Sequence, residues 1–258
     1  MNIGVTTILK PDSRLEKVAQ SRADNFHFPY HQREGKLSSM AEKYRMEGFL
    51  IYGHQLPVFW TQTGEYRFHL GTAALRIHQL EQGHGDRLCD LIPCGCRSVL
   101  DCTFGHGGDS FVLSWHLGED AQVTALEKSP ILYEIGKWGL SFYPDLNPEV
   151  VRSLQRIRIL HEDFKNYLDR AASKSFDIVY FDTMFKAPVK REENRVEGFR
   201  TAACYDSLDK EIIRSAMRVA KKRVIVKERP FSILFRENEF TRIYGKHGQT
   251  TAYGVIDV

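Results

Sequence analysis

A single run, SVLDCTFGHGGDSFVLSW over residues 98–115, constrains the fold more than any other stretch of this chain. Val99 and Leu100 read as a short buried strand. Gly105, Gly107 and Gly108 follow as a turn of bare backbone that a ligand can approach closely. Phe111, Val112 and Trp115 then recur at helical spacing. A strand that passes through a glycine-rich turn into a helix is the nucleotide-cofactor entry of doubly wound α/β folds. A plain tight turn between strand and helix is the alternative reading.

Details of the turn bear on which cofactor it would take. A dinucleotide fingerprint would place a third glycine where Ser110 stands. Here the strand ends in a carboxylate, Asp101, just ahead of the first glycine. An acid at that point repels a diphosphate but suits a ligand carrying an ammonium and a sulfonium. The pattern Asp101-x-x-x-Gly105-x-Gly107, with Gly108 and Asp109 opening the helix, therefore favours S-adenosyl-L-methionine over NAD.

At 258 residues the chain is long enough for one α/β domain with an appendage. We expect a small α+β lobe over 1–70 and a cofactor-binding domain over 71–258. No apolar run approaches the ~20 residues of a membrane span, and the first residues lack a basic stretch followed by an apolar one. A cytoplasmic protein without a membrane partner is the expectation. The net charge of +3 is too small to demand a nucleic acid and does not oppose one. Five cysteines, an odd count, suggest reduced thiols. Cys89, Cys94, Cys96 and Cys102 crowd together without paired C-x-x-C spacing, so buried inert thiols are expected and no metal site.

In the first 70 residues, 14–25 and 37–46 are helix candidates, the first entered through Asp12 and Ser13 and the second with Ser38 or Ser39 near its start. Three short strands are expected at 49–52, 57–60 and 66–69, with their aromatics either forming a local core or helping to hold a substrate. A helix over 72–82 carries Ala73, Ile77 and Leu80 on one face, leaving Arg76 and His78 as solvated residues.

Beyond the glycine turn, 123–127 is a second strand ending in Glu127, about 20 residues past the loop, where an acid meets ribose hydroxyls in such folds. Lys128 follows it, and Ser129-Pro130 then opens a helix. A third strand, 157–160, leads to Asp163, which suits either an adenine amino group or the N-cap of the helix from Phe164. Residues 176–181 are nearly all apolar, as in a strand buried on both faces, and run into Asp182-Thr183-Met184-Phe185. An acid at that strand end with an aromatic three residues on resembles the Asp/Asn-Pro-Pro-Tyr/Phe loop of methyltransferases that modify exocyclic amines. The resemblance implies Asp182 and Phe185 as catalytic residues, the acid accepting from the amine while the aromatic stacks on its base. A polar loop over 186–200 is a candidate substrate lid. A helix over 206–221, a strand over 223–227, and strand-like segments at 240–244 and 251–256 complete the set.

Taken in order, VLDCTFGHGGDSFVL (99–113), LEKSP (126–130), VYFDTMF (179–185) and RVIVK (223–227) resemble the class I methyltransferases related to the small-subunit ribosomal RNA guanine-N2 methyltransferase J. The resemblance covers about residues 72–227. It implies a Rossmann-like sheet of seven strands, with S-adenosyl-L-methionine held at Gly108-Asp109, Glu127-Lys128, Asp163-Phe164 and Asp182. It also implies methyl transfer to a guanine exocyclic amine in ribosomal RNA. Thr183 stands where that family carries proline. The lobe ahead of the cofactor domain resembles uncharacterised bacterial relatives in its Phe68-His69 and Leu75-Arg76-Ile77 pattern. The residues themselves leave open a methyltransferase of small molecules or proteins, an NAD-dependent oxidoreductase, and a non-catalytic cofactor-binding module.

Overall fold

Seven strands form one sheet in the order β10-β11-β9-β8-β5-β6-β7, and its strand order reverses at β5. These strands are β5 (Ser98–Asp101), β6 (Gln122–Glu127), β7 (Ile157–His161), β8 (Phe176–Asp182), β9 (Ala220–Glu228), β10 (Arg242–Tyr244) and β11 (Ala252–Asp257). The five from β7 across to β9 run parallel, and β11 and β10 close the edge antiparallel. This is the Rossmann-like sheet expected from the sequence. The structure, a computed structural model, describes residues 1–144, 147–182, 202, 208–237, 240–245 and 249–258.

Side chains alternate across a sheet, so the register decides which residues share a face. Leu100, Val179, Phe181, Val224 and Val226 point to one face and join a core with Ile212, Ile213, Ala216 and Val219 of helix α8 (Lys210–Val219). Each fully buried Ile or Val there contributes about 1.5–3 kcal/mol relative to exposure. Asp209 caps α8 by accepting from Ile212 N at 2.9 Å. Asp101 sits opposite Tyr180, and Asp182 opposite Lys227, so these four share the other face. Helix α4 (Gly108–Leu117) bonds to that face through Asp109 and Ser110 and touches α3 (Thr72–Glu81). Central β8 is apolar throughout its middle because both faces are covered: Ile178 to Phe181 have no exposure.

The chain divides into two compact units. The one just described holds Leu70–Lys128 and the described residues of 145–187 and 204–258. The other holds Met1–His69 together with Ser129–Pro144. Helix α5 (Pro130–Phe142), capped by Ser129, therefore groups with the N-terminal residues although it follows β6 in the chain.

The N-terminal unit has its own four-stranded sheet, β1 (Ile3–Thr7), β2 (Gly48–Tyr52), β3 (Val58–Thr61) and β4 (Gly64–Arg67), in that order. Helix α1 (Ser13–Phe26) is capped by Asp12, and α2 (Leu37–Tyr44) begins at Leu37 as expected, its N-cap position held by Lys36 without a side-chain cap. Strand β1 was not legible as a strand. It pairs parallel with β2 on one side and bridges to Tyr30 on the other, so all five residues are buried and no alternation marks them. The aromatics of β2 to β4 form a local core, with Phe49, Tyr52, Phe59 and Tyr66 buried. Among the described residues no helix is long and apolar enough to cross a membrane.

Candidate functional site

Strand β5 ends at Asp101, and the turn that follows is built by its own backbone. Phe104 N donates to Leu126 O at 2.9 Å, and Gly107 N donates to Phe104 O at 2.8 Å. Gly105 and Gly107 have φ of 55° and 76°, the left-handed region that favours glycine. A Cβ on Gly107 would lie 2.5 Å from the Phe104 ring, whereas one on Gly108 would meet only Ala73 Cβ, at 3.6 Å. The turn is docked on the neighbouring strand end: Gly105 N donates to Glu127 Oε2 at 3.0 Å.

Asp101 is 1% exposed and organises the turn from beneath. Its Oδ2 accepts from Ser110 Oγ, and its Oδ1 accepts from Thr103 N at 3.0 Å. Burial pushes the Asp101 carboxyl up to about 6, against the pull of the Ser110 and Thr103 bonds. Thr103 Oγ1 accepts from Asp182 N at 2.6 Å, so the same turn also fixes the end of β8.

Asp109, in the first turn of α4, has its carboxylate directed inward. Oδ2 accepts from Tyr180 Oη at 2.7 Å and from Lys227 Nζ at 2.9 Å, and Oδ1 accepts from Arg76 Nη1. Arg76 also forks onto Asp86 at 2.7 and 2.9 Å, and Lys227 Nζ reaches Asp182 Oδ2 at 2.7 Å. Charges thus alternate along one chain of contacts, Asp86–Arg76–Asp109–Lys227–Asp182. Burial opposes a charge on Asp109, but Lys227 and Arg76 more than offset it and hold the carboxyl well below its usual range. Burial pushes Asp182 up to about 7, with Lys227 pulling it down and Asp109 pushing it up. The Asp182 side chain is 33% exposed and that of Asp109 only 9%, so Asp182 is the solvent-facing carboxylate of the two.

At the other side of β5, Glu127 ends β6 and is 7% exposed. Lys128 Nζ pairs with Asp163 Oδ2 at 2.8 Å, and Asp163 Oδ1 accepts from Lys165 N at 2.8 Å as the N-cap of α7 (Phe164–Arg170). The N-cap reading of Asp163 therefore holds. Phe164 turns into the core, its ring edge-on to Phe181 at 5.6 Å, which leaves its backbone for any ligand. Phe185, Thr183 and the candidate lid over 186–200 lie outside the described residues.

Asp86, Arg76 and Lys227 of the charge chain are not singled out by the sequence, nor is Tyr180, which donates to Asp109. Arg76 is not a solvated residue: it flanks the apolar stripe of α3, and its side chain is 23% exposed between two carboxylates. Lys227 was read only as a strand end, and its role depends on the register of β8 with β9. Tyr180 passed as one more apolar position. Of the crowded thiols, Cys89, Cys96 and Cys102 are buried as expected, but Cys94 is exposed on a turn. Among the described residues no three His, Cys, Asp or Glu side chains gather to hold a metal ion.

The family model described as "Putative SAM-dependent methyltransferase" matches residues 67–248, which include every residue of this charge chain. The chain belongs to that family. An uncharacterised protein of Bacillus subtilis, YpiP, is 27% identical over 98% of both chains. The ribosomal RNA small subunit methyltransferase J of Cellvibrio japonicus is 29% identical over 61% of this chain and 60% of its own length. That of Thioalkalivibrio sulfidiphilus is 33% identical over 50% and 51%. The chain thus spans little more than half the length of these methyltransferase J relatives. In fold it is similar to a SAM-dependent methyltransferase from Neisseria gonorrhoeae, with a TM-score of 0.63 at 18% identity over 98% of this chain and 94% of that one.

The chain is therefore a SAM-dependent methyltransferase whose cofactor is S-adenosyl-L-methionine. The donor set of the SAM-dependent enzyme fits that group. Carboxylates stand at the ends of β5 and β6 and just past β7, around a turn of bare backbone. Such an edge attracts an ammonium and a sulfonium and repels a diphosphate.

Proposed function

We propose that this methyltransferase modifies an exocyclic amine of a base in ribosomal RNA, with guanine N2 as the acceptor, in the cytoplasm. The observation that carries the reading is Asp182. It is a partly exposed carboxylate at the end of a central strand, beside the point where strand order reverses, with its orientation set by Lys227 at 2.7 Å. The names of the methyltransferase J relatives support the RNA part.

When bound, the cofactor supplies an electrophilic methyl group on a sulfonium. Asp101, Gly105, Gly107, Gly108 and Asp109 would hold its methionyl part, Asp101 and Asp109 by fixing the turn and the start of α4. Glu127 would accept from the ribose hydroxyls, and Asp163, set by Lys128, would take the adenine amino group beside the Phe164 backbone. Asp182 would accept an N–H of the target amine. That bond turns the nitrogen lone pair, otherwise delocalised into the ring, toward the methyl carbon. As the nitrogen gains its fourth bond the N–H becomes acidic, and a carboxylate titrating near 7 is matched to hold the departing proton. Alignment of the two reactants supplies most of the rate. Phe185 would stack on the base.

The test is transfer of a labelled methyl group from S-adenosyl-L-methionine to RNA from cells lacking this protein, followed by nucleoside mapping. Label in N2-methylguanosine is the expected result. Label confined to protein or to small molecules would overturn the RNA reading.

A further inference from the structure

The N-terminal unit contains a cleft of about 500 Å³ lined by four aromatics, Phe68, Trp138, Phe142 and Tyr143, together with polar His54, Gln55 and Arg67. Trp138 and Phe142 come from successive turns of α5, with ring centroids 5.3 Å apart. Phe68 and Tyr143 form a second pair, edge-on at 5.6 Å. Gln55 and Arg67 supply the hydrogen-bonding groups.

These walls are fixed in place. Trp138 Nε1 donates to Glu134 Oε1 at 2.7 Å, and the same oxygen accepts from Tyr52 Oη at 2.8 Å and lies 3.3 Å from Arg22 Nε. Tyr52 also packs edge-on against the indole. Phe68 sits directly on Gly139, where a Cβ would come within 2.0 Å of the ring. A glycine inside a helix is costly to the helix, and here it lets an aromatic wall seat flush. Against this frame Phe142 is left 64% exposed.

We propose that this cleft binds an unpaired nucleobase of single-stranded RNA, a strand-holding subsite in addition to the methyl-transfer site. The proposal rests on the RNA reading above. Every base has a π-face that suits such walls, and stacking on aromatic side chains is how unpaired RNA is held without regard to sequence. The Gln55 amide can donate to and accept from a base edge, and the Arg67 guanidinium, paired through Nη2 with Glu65 Oε2 at 2.9 Å, has further N–H groups that suit a phosphate. The volume falls within the range of small-ligand pockets, about 300–1,000 Å³.

Trp138 makes the site readable. The full chain, saturated with S-adenosyl-L-methionine, is titrated with a short single-stranded oligoribonucleotide, its duplex, guanosine and adenosine 5′-monophosphates, and a short peptide with an aromatic tip, following tryptophan fluorescence. Saturable quenching by the single strand is expected, absent in Trp138→Phe and about tenfold weaker in Phe142→Ala, with cofactor affinity unchanged. Phe142 is exposed, so its truncation leaves the fold intact. Four results would overturn the proposal: no quenching by the single strand, equal affinity in Phe142→Ala, equal affinity for the duplex, or mononucleotides binding as tightly as the strand. Quenching by an aromatic-tipped peptide alone would assign the cleft to a protein partner and overturn it too. Quenching by RNA that is never methylated would sink the proposed reaction and leave this subsite standing.

Discussion

Lys227 Nζ lies 2.7 Å from Asp182 Oδ2 and 2.9 Å from Asp109 Oδ2, so one ammonium joins a partly exposed carboxylate to a buried one. Asp109, with Tyr180, Lys227 and Arg76 on its carboxylate, anchors α4 against the sheet, whereas the more exposed Asp182 is the carboxylate proposed to meet the target amine. Asp182→Ala should abolish methyl transfer while cofactor affinity, measured calorimetrically, stays within about tenfold, a change of about 1.4 kcal/mol. Full activity in that variant would end the amine-orienting role.

Lys227 is predicted to set the pH at which Asp182 works. Activity should rise with pH as the Asp182 carboxyl, near 7, loses its proton. In Lys227→Met the attraction is gone and Asp109 still repels, so the acidic limb of the kcat profile should move upward by about one pH unit or more. Lys227→Arg should return part of the shift. Because the variant also leaves a buried Asp109 short of one cation, a loss of about 3 kcal/mol in stability should accompany it. A merely structural lysine would lower stability without moving the limb.

What could be read from the chain alone was what local chemistry encodes. The glycine turn, the acids Asp101, Glu127 and Asp182 at strand ends, and the caps Asp12 and Ser129 all announce themselves within a few residues. Long-range pairing was hidden. Strand β1 is defined by a parallel partner more than forty residues away, Ile3 opposite Gly48. Lys227 matters only because β9 is in register with β8, and Arg76 only because α3 meets α4. Trp138 and Glu134 are clamped by Tyr52 and Arg22, neither of which carries a mark in the sequence.

Two carboxyls should make the protein less stable as pH rises from about 4 to about 7. Asp101 and Asp182 are raised to about 6 and about 7, above the value of about 3.9 expected in an unfolded chain. Between those values the folded state binds more protons than the unfolded one, so stability falls with increasing pH. Asp109 acts oppositely: its folded value is depressed, so its contribution is present above the unfolded value and is lost as acid protonates it. Asp101→Asn removes the titration at the most buried of these groups. Its unfolding free energy should lose about 2–3 kcal/mol less than the wild type does between pH 4 and pH 7, from a shift of about two units at ~1.4 kcal/mol each. Parallel curves for the two proteins would show that Asp101 is ionised throughout.

The glycine turn offers a comparison between neighbours. Gly107 has φ of 76° and no room for a Cβ beside Phe104, whereas Gly108 is the first residue of α4 with its nearest neighbour at 3.6 Å. Gly107→Ala should cost about 1–2 kcal/mol for the left-handed backbone alone, and more for the displaced ring. The movement of Phe104 would pull the turn off Leu126 and Glu127, so cofactor affinity should fall at least tenfold. Gly108→Ala meets neither obstacle and should leave stability within about 1 kcal/mol of the wild type, on either side. Its cofactor affinity then reports how close the ligand comes. A large loss of binding with unchanged melting would mean that the bare backbone at Gly108 is reserved for the cofactor. Unchanged binding would confine the close approach to Gly105 and Gly107.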